Sequence, residues 1–412
     1  MTSTDWSEHV NWLSQETTRL LEFGRAGAKA PNGFAWLDGH GRPNLDAPVD
    51  LWVTCRMTHV YALGALLGHS WCAALADHGL RALDGPFNDP VHGGWFSRIA
   101  PDGAPLDTTK AAYAHAFVIL ATSSAAAAGL PHADNLLKRA LANQNVHFRQ
   151  AGEERVVDVF NREFTKSEDY RGANANMHTV EAYLAAADVT GDSRWRKRAL
   201  VIADLVVTQA KAADWRVPEH FTADWRPLPE YNADQPEDQF RPYGATPGHG
   251  FEWSRLILEL RAGLGPEAPE WMKPAAEELF RRAYLDGWQD SPTPGFVYTT
   301  DWSGRPVIRT RLHWVAAEAV AAAITAYRAT GDPLYHHLYA RWWDVARDRF
   351  VDLANGSWRH EVSPAGEPSS QLWEGKPDLY HAVQATLIPR LPLAPSLATA
   401  LRTGLLDQVP PA

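Results

Sequence analysis

Cysteine is almost absent from this chain: Cys55 and Cys72 are the only two in 412 residues. They form no disulfide framework and no metal-type spacing, which suits a reducing compartment. Runs of lysine and arginine are also missing, and the formal charge of −10 is mild for this length. Neither nucleic acid nor an anionic membrane is therefore expected as the main partner. No stretch makes a good membrane span. The best, Ala111 to Leu130, is uncharged but mostly Ala and Ser, with Tyr113 and His115 inside, and reads as a tightly packed buried helix. Met1 to Leu13 carries Asp5 and Glu8 and lacks the apolar core of a signal peptide, so a cytoplasmic location is expected.

Several chemical signatures are missing as well. There is no His-Glu-x-x-His, no Cys-x-x-Cys, no P-loop, no Gly-x-Gly-x-x-Gly and no serine nucleophile elbow. Zinc hydrolase, kinase and nucleotide-cofactor chemistry lose support.

What the chain does have is tryptophan, 18 in all. Aromatic rings dominate core packing, so most should be buried, while a few can line a sugar site by stacking on apolar ring faces. The aromatics also mark a repeat. A Gly beside an aromatic is followed some ten residues later by a Gly-x-Pro turn. Copies are Gly33-Phe34 with Gly41-Arg42-Pro43, Gly94-Trp95 with Gly103-Ala104-Pro105, Gly295-Phe296 with Gly304-Arg305-Pro306, and Gly356-Ser357-Trp358 with Gly366-Glu367-Pro368. His220-Phe221 with Trp225-Arg226-Pro227 is a degenerate copy, and the spacing places a sixth near 158, at Val156 to Phe164. Six units of roughly sixty residues follow, each a supersecondary element that buries its face against its neighbours.

Each unit holds two helical patterns. Ala-rich helices, apolar most of the way round and so buried, are expected near 52–68, 109–129, 173–190, 247–263, 311–330 and 377–390. More charged, one-sided helices alternate with them, as at Asp192 to Ala210, Pro274 to Gly287 and Pro333 to Phe350. The simplest closure is an all-α double ring, an (α/α)6 barrel with short β-hairpins at one end. An open superhelix is the competing arrangement. No linker divides the chain, so residues 1–412 are expected to form a single domain.

Polar residues interrupt the buried helices near their starts: Arg56, Tyr113, Asn174 with His178, His249 with Glu252, Trp314 with Glu318, and His381. Parallel inner helices bring these positions to one cup, ringed by positive helix-dipole ends. Thr246-Pro247 marks one helix start, with the threonine oxygen as cap and proline at the first helical position. His249 then falls in the first turn, with Glu252 three residues on along the same face. Bland alternatives stand beside these assignments. Arg56 either serves the cup or only pairs with Asp50 or another carboxylate at the rim. Tyr113 and Trp314 either line the cup or fill the core, and Asn174 is either a ligand or a cap. A lone buried Glu318 is costly without a partner, which favours a polar cavity.

Three stretches carry a resemblance. Arg171-Gly172-Ala173-Asn174-Ala175-Asn176-Met177-His178-Thr179-Val180-Glu181-Ala182, Thr246-Pro247-Gly248-His249-Gly250-Phe251-Glu252-Trp253 and Gly375-Lys376-Pro377-Asp378-Leu379-Tyr380-His381-Ala382 resemble the signatures of the N-acylglucosamine 2-epimerase superfamily, and of its aldose–ketose isomerase branch in particular. The resemblance spans nearly the whole chain. It implies an (α/α)6 barrel and a metal-free sugar isomerase with His249 and His381 as the acid/base pair. It further implies that Arg56, Tyr113, Asn174, His178, Arg241, Glu252, Trp314 and Glu318 line the sugar pocket.

The expected reaction interconverts mannose and fructose, or lyxose and xylulose. The ring opens, a histidine takes the C2 proton to give a cis-enediol, and the proton returns to C1. Arg56 is the charged donor for the developing oxyanion, and Glu252 either orients His249 or binds a hydroxyl. A sugar 2-epimerase would reprotonate C2 from the opposite face. A glycoside hydrolase would need two carboxylates, with Glu252 and Glu318 as candidates. The partner is a monosaccharide, and the protein is expected to be a monomer or homodimer.

Overall fold

The computed structural model describes residues 3–150 and 154–408. Six helices, α2 (Leu51–Leu66), α4 (Ala112–Ala127), α6 (Ala173–Thr190), α8 (Pro247–Leu264), α10 (His313–Thr330) and α12 (Tyr380–Leu387), form an inner ring. Each packs on the next, and α12 returns to α2. That contact closes the ring and eliminates the open superhelix. The inner helices are buried on nearly every face, so small residues dominate where neighbours approach. In α4, Ala112, Ala114, Ala116, Ala121, Ala125 and Ala127 are all buried.

The outer ring is α1 (Ser3–Gly24), α3 (Ser70–Asp84), α5 (Ala133–Asn143), α7 (Arg194–Ala212), α9 (Met272–Gly287) and α11 (Pro333–Arg349). Five inner helices pack on the outer helix that follows them. The sixth pair joins α12 to α1, the two ends of the chain. Where two of the inner helices end, the sequence repeats Thr-Gly-Asp. Gly191 and Gly331 take left-handed φ values of 72° and 74° and donate back to the Ala187 and Tyr327 carbonyls. Only glycine adopts that conformation without strain. Asp332 then caps α11 by accepting from Leu334 N–H at 2.9 Å.

The turn repeats form short antiparallel pairings. Bridges join Leu37 to Pro43, Phe221 to Pro227, Thr300 to Pro306 and Val362 to Pro368. The sixth copy is present too: Val159–Phe160 pairs with Lys110–Ala111. A short helix, α13 (Leu397–Arg402), packs against α2, α4 and α6. The charge-free Ala111 to Leu130 stretch contains α4, and among the described residues no helix is long and apolar enough to cross a membrane.

Candidate active site

The N-terminal turns of the inner helices border one cavity that, counting the space open to solvent at its mouth, encloses about 680 Å³. Arg56 reaches it from α2, Tyr113 from α4, Asn174 and His178 from α6, His249 and Glu252 from α8, Trp314 from α10 and His381 from α12. Residues far apart in sequence meet here because each inner helix starts at the same end of the barrel.

The helix start at α8 is as expected, with Thr246 at the cap and Pro247 at the first helical position. The Thr246 hydroxyl, however, makes no capping bond, and the backbone oxygen of Thr246 accepts from His249 N–H at 3.0 Å instead. His249 is oriented by a residue absent from the candidate set. Its Nδ1 meets Glu219 Oε1 at 2.9 Å. Glu219 sits just before the strand His220–Thr222, and its carbonyl also accepts the Ala173 N–H at the start of α6. Glu252 therefore does not orient His249. Its Oε1 lies 3.8 Å from His178 Nδ1 and 3.6 Å from Arg255 Nη2, buried and without a hydrogen-bond partner. Burial and the nearby Glu318 push the Glu252 carboxyl well above its usual range.

His381 mirrors His249. Its Nδ1 meets Glu318 Oε1 at 2.9 Å, while Glu318 Oε2 accepts from Arg255. Burial, assisted by Arg56, keeps His381 well below the usual imidazole range. Neutral His381 thus donates from Nδ1 and presents the Nε2 lone pair to the cavity, a tautomer assigned from the hydrogen-bond network. The indole of Trp314 neighbours both imidazoles, 5.1 Å from His249 and 5.8 Å from His381 by ring centroids.

Arg56 pairs with Asp378 at 3.3 Å, not with Asp50, and it donates to Tyr113 Oη at 2.9 Å. Asp50 is bound by Arg98 instead. The guanidinium lies over the rings of Phe117, Tyr380 and Trp52 at 4.5, 4.7 and 5.1 Å, and these faces stabilise a desolvated cation. Its Nε has no partner. His178 is held neutral at about 4 by burial, and its Nδ1 lies 3.3 Å from Glu181. Glu181 stays ionised well below the carboxylate range, despite burial, because His178, Arg255 and Tyr380 all favour the anion.

Two expected lining residues lie elsewhere. Glu318 sits behind His381, held by Arg255 and His381 rather than facing the cavity. Arg241 points away: it pairs with Glu168 at 2.8 Å and stacks on Tyr170 at 3.8 Å, while its neighbours Gln239, Phe240 and Pro242 line the cavity.

Further lining residues escaped the sequence analysis. Trp52, Phe240 and Trp373 form an aromatic mouth in which Phe240 lies 5.6 Å from Trp373 and 6.3 Å from Trp52. The tryptophan surplus was their only signal. His313 and His360 stack at 3.9 Å on another wall, and the buried Nε2 of His313 has no partner. Asp378 and Glu181 stood inside the quoted motifs, but their roles need the fold.

Fold and cavity together define an (α/α)6 barrel with one polar, aromatic-mouthed site at the helix starts. The family profile described as N-acylglucosamine 2-epimerase (GlcNAc 2-epimerase) matches residues 33–385. A protein named D-mannose isomerase from Thermobifida fusca is 49% identical over 397 residues, covering 96% of this chain and 97% of the relative. One of the same name from Pseudomonas cannabina pv. alisalensis is 48% identical over 397 residues, covering 95% of each. A crystal structure of a D-mannose isomerase superposes with a TM-score of 0.85 at 27% identity, over 91% of this chain and 96% of the other. The chain belongs to the N-acylglucosamine 2-epimerase family, and it is an enzyme of the isomerase class.

Proposed function

We propose that the chain, acting as one catalytic domain, is an aldose–ketose isomerase that interconverts D-mannose and D-fructose without a metal ion. One observation carries the reading. Two imidazoles, each anchored through Nδ1 on a buried glutamate, present Nε2 to a single cavity. One imidazole exchanges protons between the anomeric hydroxyl and the ring oxygen to open the pyranose. An imidazole base then takes the proton from C2 while O1 gains a proton, giving the cis-enediol, and returns the proton to C1 as the O2 hydroxyl gives up its own to form the C2 ketone. Arg56, with its unpartnered Nε, donates to the oxygen on which charge develops. Glu252, held protonated by burial, is placed to donate to a sugar hydroxyl.

Selection of a neutral sugar is supported by the charge of the lining. Arg56 is its only guanidinium among the described residues and is already paired with Asp378. Arg241 is occupied by Glu168, so no unpaired cation awaits a sulfonate or phosphate. Metal independence has its own support. His178, Glu181 and Glu252 bring ligand atoms within 4.8 Å of one another. Glu181, however, is engaged by Tyr380 and Gln384, and Arg255 lies close to Glu252, which disfavours a further cation. A hydrolytic pair of Glu252 and Glu318 is disfavoured because Glu318 does not face the cavity. Buried, unpaired Cys55 and Cys72 suit a cytoplasmic setting.

The test is NMR of a panel of aldoses incubated with the enzyme in D2O, with and without exhaustive chelation. Fructose from mannose in both conditions supports the proposal. Deuterium at C2 of an epimeric aldose would make the enzyme a 2-epimerase, and loss of activity on chelation would overturn the metal-free mechanism.

A further inference from the structure

Behind His381 lies a layer of buried charge that the reaction scheme does not use. Arg255 on α8, whose side chain is 3% exposed, contacts Glu318 Oε2 through Nε at 3.0 Å and Nη2 at 2.9 Å. Its Nη1 reaches both oxygens of Glu259 at 3.2 and 3.3 Å. Glu318 is thus divided between two partners: Oε2 belongs to Arg255 and Oε1 to His381 Nδ1.

We propose that Arg255 is a positioning residue of the reaction, which keeps Glu318 a carboxylate and so fixes His381 with its proton on Nδ1 and its acceptor on Nε2. The proposal rests on His381 being a catalytic base.

The argument is electrostatic. Glu318 is faced by Glu252 and Glu259 from α8 and by Glu181 and His178 from α6. From α12 it is faced by His381. Arg56 is committed to Asp378, so Arg255 is the one cation among the described residues in contact with Glu318. Burial, with Glu181 adding to it, already pushes the Glu318 carboxyl above its usual range, and Arg255 is the chief influence opposing that rise, so without the guanidinium Glu318 would take a proton. A protonated Glu318 becomes a donor at Oε1. His381 Nδ1 would then have to accept, its proton would move to Nε2, and the lone pair facing the sugar would be lost. Water does little to screen this layer. Beneath it, Glu181, Arg255, Glu259 and Gln384 border a small pocket closed by residues 394–397 of the C-terminal segment.

Four variants test this. In Arg255→Met, turnover of mannose should fall about a hundredfold at neutral pH, the scale of a displaced catalytic group. It should recover as pH rises, with the acid limb moved upward by about one unit or more as Glu318 becomes harder to ionise. Arg255→Lys, which keeps a charge, should restore most of the limb. In Glu318→Gln, Arg255 claims the amide oxygen and turns the NH2 toward His381, so the imidazole proton should sit on Nε2. Imidazole 15N NMR of histidine-labelled enzyme reads this without substrate, so it decides the point even if mannose proves not to be the substrate. Combining Glu318→Gln with Arg255→Met should be more active than Glu318→Gln alone, because the amide is then free to turn its oxygen to His381. A folded Arg255→Met with an unmoved acid limb would overturn the proposal. So would a Glu318→Gln enzyme with the His381 proton still on Nδ1, which decides the matter should Arg255→Met fail to fold.

Discussion

His249 and His381, 132 positions apart in the chain, both pack against the Trp314 indole, at centroid distances of 5.1 and 5.8 Å. One stands in the first turn of α8 and the other in the first turn of α12, on either side of α10 in the inner ring. Each has a glutamate behind it, Glu219 and Glu318. The cavity therefore holds two similarly equipped imidazoles that reach one small ligand from different helices.

Removing either imidazole should be costly. His249→Ala and His381→Ala are each expected to lose about 10²–10⁴-fold in kcat for mannose isomerisation, the usual worth of a general acid or base. Circular dichroism confirms the fold. Near-normal turnover in a folded variant would remove that histidine from the mechanism.

Glu219 should matter although it does not touch the substrate. Glu219→Gln keeps the shape but can turn an NH2 toward His249 Nδ1, which disfavours the useful tautomer. A loss of about 10²-fold in kcat with little change in KM is expected, as for a misplaced catalytic group. Steady-state kinetics decide it.

Gly248→Ala should be disproportionately harmful. A Cβ at this position would lie 2.4 Å from Trp314 Cζ3 and 2.6 Å from its Cη2. The indole must move, and it is the surface both imidazoles border. We expect kcat/KM to drop about 10²-fold, again the scale of a small displacement at a reacting centre, with the thermal midpoint changed far less than activity.

A stability effect follows from Asp158. Its carboxylate accepts from Gly172 N–H at 2.7 Å, yet burial holds its pKa up to about 8. A raised acid favours folding while protonated. That stability is fully present below the unfolded carboxyl value near 4 and is lost as pH rises through about 8. Asp158→Asn has no proton to lose. Its stability relative to wild type should therefore improve steadily from pH 4 to pH 8 in urea titrations, and a pH-independent difference would contradict the burial argument.

The repeat, the six buried helices and the cup at their starts were legible because they are periodic. Inner helices must be apolar on all sides, which leaves an Ala-rich run, and the turns must have Gly and Pro at fixed offsets. Residues that interrupt such a run at its first turns stand out, and so Arg56, Tyr113, Asn174, His178, His249, Glu252, Trp314 and His381 were found by position. Arg241 was misplaced because it lies in an irregular loop with no period to fix its direction. There Glu168 and Tyr170 captured its guanidinium. Glu318 was assigned to the right helix but the wrong layer. A helix face specifies which way a side chain leaves, not what it meets.

By itself the sequence determined the class of fold, the parallel mouths and the pair of histidines, since these follow from local periodicity and spacing. Only the tertiary structure decided that the ring closes through α12 on α2, and that α1 and α12 complete the sixth pair. It alone decided that Glu219 rather than Glu252 stands behind His249, and that Arg255 stands behind Glu318. Hydrogen-bond partners across a barrel are chosen by distances among helices remote in the chain, and no run of neighbouring residues encodes them.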